Sequence, residues 1–209
     1  MKLVVFEGID GSGKSTQVQL LFNYLKRKKI DVEKIDFPRY GCFFGKVIKI
    51  ILHQKWGKKV SPYFVAWLFA VDRCLAKSMI NKWLNQGKTV LIDRYTASSM
   101  AHQGAKLTGV EQQKLIDWIK NLEEKIFKLP VPDKVFFIDL PAEAAEKLIS
   151  KRARKKDEAE RDFNYQQKTY ALYQKLAKAN YWTIIKCVDK KGEILSAQKI
   201  HEEIRTRIN

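Results

Sequence analysis

The sequence predicts an α/β protein of three layers, α/β/α, with a five-stranded parallel sheet flanked by helices. Three observations predict it. Five short apolar segments, residues 2–7, 32–37, 89–93, 134–140 and 182–188, read as strands, and helical patterns fill every gap between them. That alternation belongs to a mainly parallel sheet with both faces covered. The first strand also runs into Gly8-Ile9-Asp10-Gly11-Ser12-Gly13-Lys14-Ser15-Thr16, with an apolar helical stripe after it. This is the G-x-x-x-x-G-K-S spacing of a phosphate-binding loop between strand and helix.

Glycines let such a loop turn its N–H groups inward as an anion nest, and the following helix adds its positive end. Lys14 is expected to reach the terminal phosphates and the Ser15 hydroxyl to hold Mg²⁺. The remaining composition sets bounds. The 209 residues, 45% of them hydrophobic, suit one domain, 1–209, with an ample core. No stretch approaches the roughly 20 apolar residues of a membrane span. The N-terminus leads straight into the first strand with no signal-peptide pattern. Cys42, Cys74 and Cys187 are odd in number and far apart, so they are expected as buried or half-buried free thiols of a cytoplasmic protein. Forty basic against 23 acidic residues give +17. Such a charge attracts polyanions without saying which, and its spread along the chain reads mostly as solvated surface.

In chain order, Lys26-Arg27-Lys28-Lys29 closes the first helix with charge that suits its dipole. The second strand ends in Phe37-Pro38-Arg39-Tyr40-Gly41, which puts an Arg and a Tyr at the carboxyl end of a strand, where open α/β sheets bind ligands. Residues 62–86 read as a long helix, apolar on most sides and so buried on most sides: one side meets the sheet, the other a ligand or a second subunit. Asp72 and Arg73 are charged insertions there, and an ion pair and a ligand contact are equally good readings. Gly87 ends that helix. The third strand feeds Asp93-Arg94-Tyr95; an acid at this place suits the metal shell, or caps the next helix, and Arg94 suits a phosphate. Residues 109–128 read as an amphipathic scaffold helix with Leu115, Trp118, Ile119, Leu122 and Ile126 aligned. Pro130, Pro132 and Pro141 bound the fourth strand. Lys151-Arg152-Ala153-Arg154-Lys155-Lys156 is the one local concentration of charge, read as a lid over phosphates, residues 150–161. Phe163, Tyr165, Tyr170 and Tyr173 are expected mostly in the core, and a helix with Ala197, Ile200, Ile204 and Ile208 covers the sheet last.

Together these residues resemble the thymidylate kinase family of P-loop nucleoside-monophosphate kinases. The resemblance spans the whole chain and rests on Phe6 to Thr16, Phe37-Pro38-Arg39-Tyr40-Gly41, Leu68-Phe69-Ala70-Val71-Asp72-Arg73, and Asp93-Arg94-Tyr95 with Ser98-Ser99. It implies ATP as co-substrate, Mg²⁺, dTMP as acceptor and a homodimer, with no membrane and no specific nucleic acid. It implies that Phe69 stacks on the thymine, that Arg73 hydrogen-bonds the base, and that Phe37, Pro38, Arg39, Tyr40 and Arg94 surround the monophosphate. Asp10 is placed near the metal and the sugar, and Asp93 near metal and phosphate. Ser98, Ser99, His102 and Gln103 line the nucleoside. Because Ser12 is not basic, Arg152 and Arg154 are the expected donors to the phosphoryl group in flight. His102 is a departure: the family usually has Tyr or Phe there, close to the deoxyribose, which bears on rejection of a 2′-OH. The rival readings are a kinase for another nucleotide or a nucleoside, and a basic nucleic-acid-binding protein with a vestigial loop, against which an intact Lys14, Ser15 and Asp93 argue.

Overall fold

The computed structural model describes residues 2–53, 60–150, 162–179 and 181–208. The predicted lid, with Arg152 and Arg154, lies outside them. Five strands pair in parallel in the order β2-β3-β1-β4-β5: β1 (Leu3–Glu7), β2 (Val32–Asp36), β3 (Thr89–Asp93), β4 (Lys134–Asp139) and β5 (Trp182–Lys186). The predicted sheet is therefore the observed one. Phe37, Leu140, Cys187 and Val188, expected in strands, lie just beyond the ladders. Pro38 follows Phe37 through a cis bond, and Val188 instead bridges Ile194.

Among the described residues eight α-helices cover the sheet: α1 (Lys14–Arg27), α2 (Phe43–His53), α3 (Pro62–Asn85), α4 (Thr96–Gly104), α5 (Gly109–Lys120), α6 (Ala142–Ser150), α7 (Phe163–Leu176) and α8 (Ala197–Arg207). Alternate residues of β1 serve opposite cores. Val4 and Phe6 pack with Val18 and Leu21 of α1, Tyr173 of α7 and Ile204 of α8. Leu3 and Val5 pack with Ala76 and Ile80 of α3. A strand buried on both faces must be apolar throughout, which is why the run Leu3-Val4-Val5-Phe6 shows no alternation.

Three expectations need correction. The helix over 109–128 is α-helical only to Lys120; Asn121–Ile126 is a wider π-helical turn, where the Phe127 N–H bonds Leu122 O, five residues back, at 2.8 Å. Helix α3 is apolar on most sides but leaves Phe64, Trp67, Leu75 and Met79 exposed. Cys42 is exposed because it sits on the loop leading into α2, while Cys74 is half-buried and Cys187 buried. No helix among the described residues is long and apolar enough to cross a membrane.

The strand order places the site. The chain leaves β1 for the β2 edge, returns to β3 beside β1, then crosses to β4 on the other side of β1. The reversal opens a crevice at the carboxyl end of β1, where such sheets bind ligands.

Candidate active site

The phosphate loop fills that crevice. Gly8, Gly11 and Gly13 have φ of 147°, 81° and 89°, conformations that a side chain rarely adopts. A Cβ on Gly11 would stand 2.7 Å from Ile149 Cγ1, so the loop lies tight against α6. Lys14, the first residue of α1, turns back over the loop. Its Nζ donates to Ile9 O at 2.6 Å and Ser12 Oγ at 3.3 Å. Burial, with Arg94 nearby, pushes its pKa down to about 7. Ser15 Oγ donates to Asp93 Oδ2 at 2.5 Å. The other oxygen, Asp93 Oδ1, is buried and has no hydrogen-bond partner among the described residues. A serine hydroxyl joined to a carboxylate with one spare oxygen is a donor set of the kind Mg²⁺ takes. Among the described residues no three His, Cys, Asp or Glu side chains converge as a metal cage, so phosphates and water would supply the other ligands of a cation here.

Arg94 ties the loop to α4. It is held at φ 67°, at a cost of about 1–2 kcal/mol, and this aims its side chain back across β1. Its Nη2 donates to Asp10 Oδ1, and its Nη1 to Gly8 O at 3.5 Å and His102 Nε2 at 3.1 Å. Since arginine only donates, His102 Nε2 is the acceptor and Nδ1 carries the proton. That Nδ1–H donates to Tyr165 Oη at 3.1 Å, whose hydroxyl donates to His102 O at 2.9 Å. Burial drives His102 down to about 3, with Arg94 adding and Asp10 opposing, so the ring is neutral at physiological pH. Burial would raise the Asp10 carboxyl, but Arg94, His102 and Lys14 hold it well below the usual carboxylate range.

The second half of the site lies between α3 and α4. Arg73 is 1% exposed. Its Nε donates to Glu123 Oε2 at 2.8 Å, and its Nη2 to Glu123 Oε1 at 2.6 Å and Ser99 Oγ at 2.5 Å. The guanidinium lies 6.0 Å from the centre of the Phe69 ring, one turn earlier on α3. Gln103, one turn beyond Ser99 on α4, is 3% exposed, and its Oε1 is buried without a partner among the described residues.

The other predicted residues divide. Arg39 is held by Asp72, through Nε to Oδ1 at 3.0 Å and backbone N–H to Oδ2 at 2.8 Å. Asp72 is therefore an ion-pair partner, one of the two readings open from sequence. Tyr40 is exposed, whereas Phe37 is buried against Tyr95, with ring centres 6.2 Å apart. Pro38 is buried, and Thr16 is exposed at the start of α1. Ser98 is engaged away from the pocket: its Oγ donates to Glu7 Oε2 at 2.6 Å.

Two acids in this assembly escaped the sequence reading. Glu7 accepts from the N–H groups of Tyr95 and Ser98 at 2.8 and 3.2 Å and from Tyr173 Oη at 3.0 Å. It thus holds the start of α4 from β1. Burial lifts its carboxyl above the ordinary value, against those bonds. An acid ending an otherwise apolar strand was its signal. Glu123 is fully buried, and its signal was its spacing. It stands four residues after Ile119 and three before Ile126, on the apolar stripe itself.

Comparison with known proteins agrees with this geometry. The family model described as thymidylate kinase matches residues 6–200. The thymidylate kinase of Mycobacterium tuberculosis is 33% identical over 193 residues, covering 88% of this chain and 90% of its own. The probable thymidylate kinase 1 of Saccharolobus solfataricus is 34% identical over 201 residues, covering 93% of each. A solved thymidylate kinase structure from Candida albicans superposes with a TM-score of 0.80 at 26% identity, over 99% of this chain and 90% of that one.

Proposed function

The chain belongs to the thymidylate kinase family, and from that premise we propose that it moves the γ-phosphoryl group of ATP onto dTMP, giving ADP and dTDP, with the work divided as follows. Residues Gly8 to Thr16 cradle the ATP phosphates through backbone N–H groups. Lys14 leaves Ile9 O and Ser12 Oγ to meet the β- and γ-phosphates. Ser15 and Asp93 would hold Mg²⁺, which when bound supplies charge neutralisation across those phosphates. Asp10, already paired with Arg94, serves chiefly to fix that guanidinium at the edge of the loop. Arg94 and Arg39, each oriented by a carboxylate, hold the acceptor phosphate and balance charge as it develops. Arg152 and Arg154 add cations to the group in flight. No general base is needed, since the attacking oxygen already belongs to a phosphate.

Phe69 stacks on the base, Arg73 donates to it, and the Gln103 amide meets its remaining edge. The observation that carries this reading is the second pocket: beside an intact phosphate loop, an aromatic ring, a pinned arginine and an amide oxygen buried with no partner among the described residues stand on two adjoining helices. A loop that served ATP hydrolysis or nucleic-acid binding alone would have no use for them.

A coupled ADP-release assay across dTMP, dUMP, UMP, CMP and thymidine tests the reading. dTMP should give the highest kcat/KM, and thymidine, which lacks the phosphate for Arg39 and Arg94, almost none. Turnover led by thymidine or by a ribonucleotide would overturn it. The exposed aromatic group on α2 and α3, with Phe64 stacked on Trp67 at 5.9 Å and Phe44 against Trp67 at 6.4 Å, supports a homodimer through this face; the mass of the protein in solution checks it.

A further inference from the structure

We propose that Glu123 is a positioning residue of the base pocket: it acts through Arg73, fixing the one edge of that guanidinium that is offered to the pyrimidine. The inference deepens the functional reading above and rests on it.

An arginine on a flexible stem presents five N–H donors in a planar fork. In this pocket the Nε–H and both Nη2 hydrogens are taken by Glu123 and Ser99. The hydrogens of Nη1 have no partner among the described residues. The pocket is left with a single donor edge whose orientation is set from behind by a bidentate carboxylate. A donor-only edge donates to an oxygen and leaves an amino group unpaired, so it pairs with the 4-oxo group of thymine and disfavours the 4-amino group of cytosine. Fixing that edge before the base arrives lowers the ordering cost of binding.

The local backbone is shaped for this task. In a continued α-helix the Phe127 N–H would bond Glu123 O. It bonds Leu122 O instead, and Glu123 O takes the Leu129 N–H at 2.9 Å. The extra residue of this rare turn shifts the register after Glu123 and leaves Ile126 exposed, while the Glu123 carboxylate stays inward, where Thr96 Oγ1 also donates to Oε2 at 2.8 Å. Thr96 lies two residues after Arg94, so Glu123 also joins the base pocket to the segment that carries the phosphate-binding arginine. A buried acid in a rare turn is a poor way to fill space, because apolar side chains of similar volume stabilise at least as well.

The test is steady-state kinetics of the whole protein with dTMP, dCMP and ATP varied, for the unmodified chain, Glu123→Gln and Glu123→Asp. Glu123→Gln should raise the KM for dTMP about tenfold, with a smaller change in kcat and the KM for ATP within about twofold. The preference for dTMP over dCMP in kcat/KM should fall by a similar factor. Glu123→Asp, which keeps the charge at shorter reach, should recover part of both. Thermal unfolding shows whether each variant is folded, and if the Gln variant is not, the Asp variant carries the same readouts. A folded variant with unchanged dTMP KM and unchanged dTMP over dCMP preference would overturn the proposal. So would a parallel rise in the KM for ATP, which would make Glu123 merely structural. Failure of the unmodified chain to phosphorylate dTMP would instead overturn the functional reading, and this inference with it.

Discussion

The two halves of the site are made of different material. On the ATP side the recognition elements come from one short stretch, glycines at positive φ followed by Lys14 and Ser15 at the start of α1, all within nine consecutive residues. On the base side they are side chains from α3, α4 and the turn after α5, and the key pair, Arg73 and Glu123, is separated by 50 residues. A phosphate is a small, symmetric anion that a short loop can surround. A pyrimidine edge has a direction, and reading it takes donors held at fixed angles by neighbours, which only tertiary structure supplies. The difference therefore predicts different failures: damage to the loop should stop chemistry, and damage to the helices should weaken acceptor binding.

The largest expected effect tests the first half. Lys14→Ala should lower kcat by about a thousandfold or more, since it removes a cation aimed at the reacting phosphates. The fold should survive, because among the described residues Lys14 bonds only Ile9 and Ser12 of its own loop, and thermal unfolding should show no loss of stability. Near-normal turnover would break the division. The same locality explains what was legible in the sequence. Phosphate loop, strands and sheet follow from short-range pattern, spacing and apolar runs, and all five strands stand where the pattern puts them. What pattern could not give was pairing at long range. From sequence Asp72 is open between two roles, and only the fold sets Arg39 against it. Glu123 stands on the apolar stripe of a scaffold helix, but nothing local says which cation it meets, because Arg73 lies 50 residues away. Phe37 matched a site motif, yet its ring is spent on packing Tyr95.

A smaller effect should fall on the second half alone. Phe69→Ala removes the face on which the base stacks, worth about 2 kcal/mol, or roughly thirtyfold in the KM for dTMP. The KM for ATP should hold and kcat should move little, because the phosphates keep their own contacts. Initial rates with each substrate varied in turn decide the matter. If the ATP constant moves with the dTMP constant, the two halves are one energetic unit and the comparison fails.

The subtlest difference lies in titration. Lys14 in the free protein is pushed down to about 7 by burial, and bound phosphates, being anionic, must raise it. Between pH 7 and the bound-state value the free lysine is largely neutral and the bound one charged, so capture of ATP takes up a proton. By linkage the KM for ATP should then rise with pH, by a few-fold between pH 7.5 and 8.5 and never more than about tenfold per unit. The phosphates themselves are already ionised in that window, since their last pKa lies near 6. On the acceptor side burial pushes His102 down to about 3, so it stays neutral throughout and leaves the dTMP constant flat over the same range. Calorimetry in buffers of different ionisation enthalpy would detect the proton directly on ATP binding. A flat ATP constant with a sloping dTMP constant would reverse the assignment, placing the titrating cation with the acceptor and not with the loop.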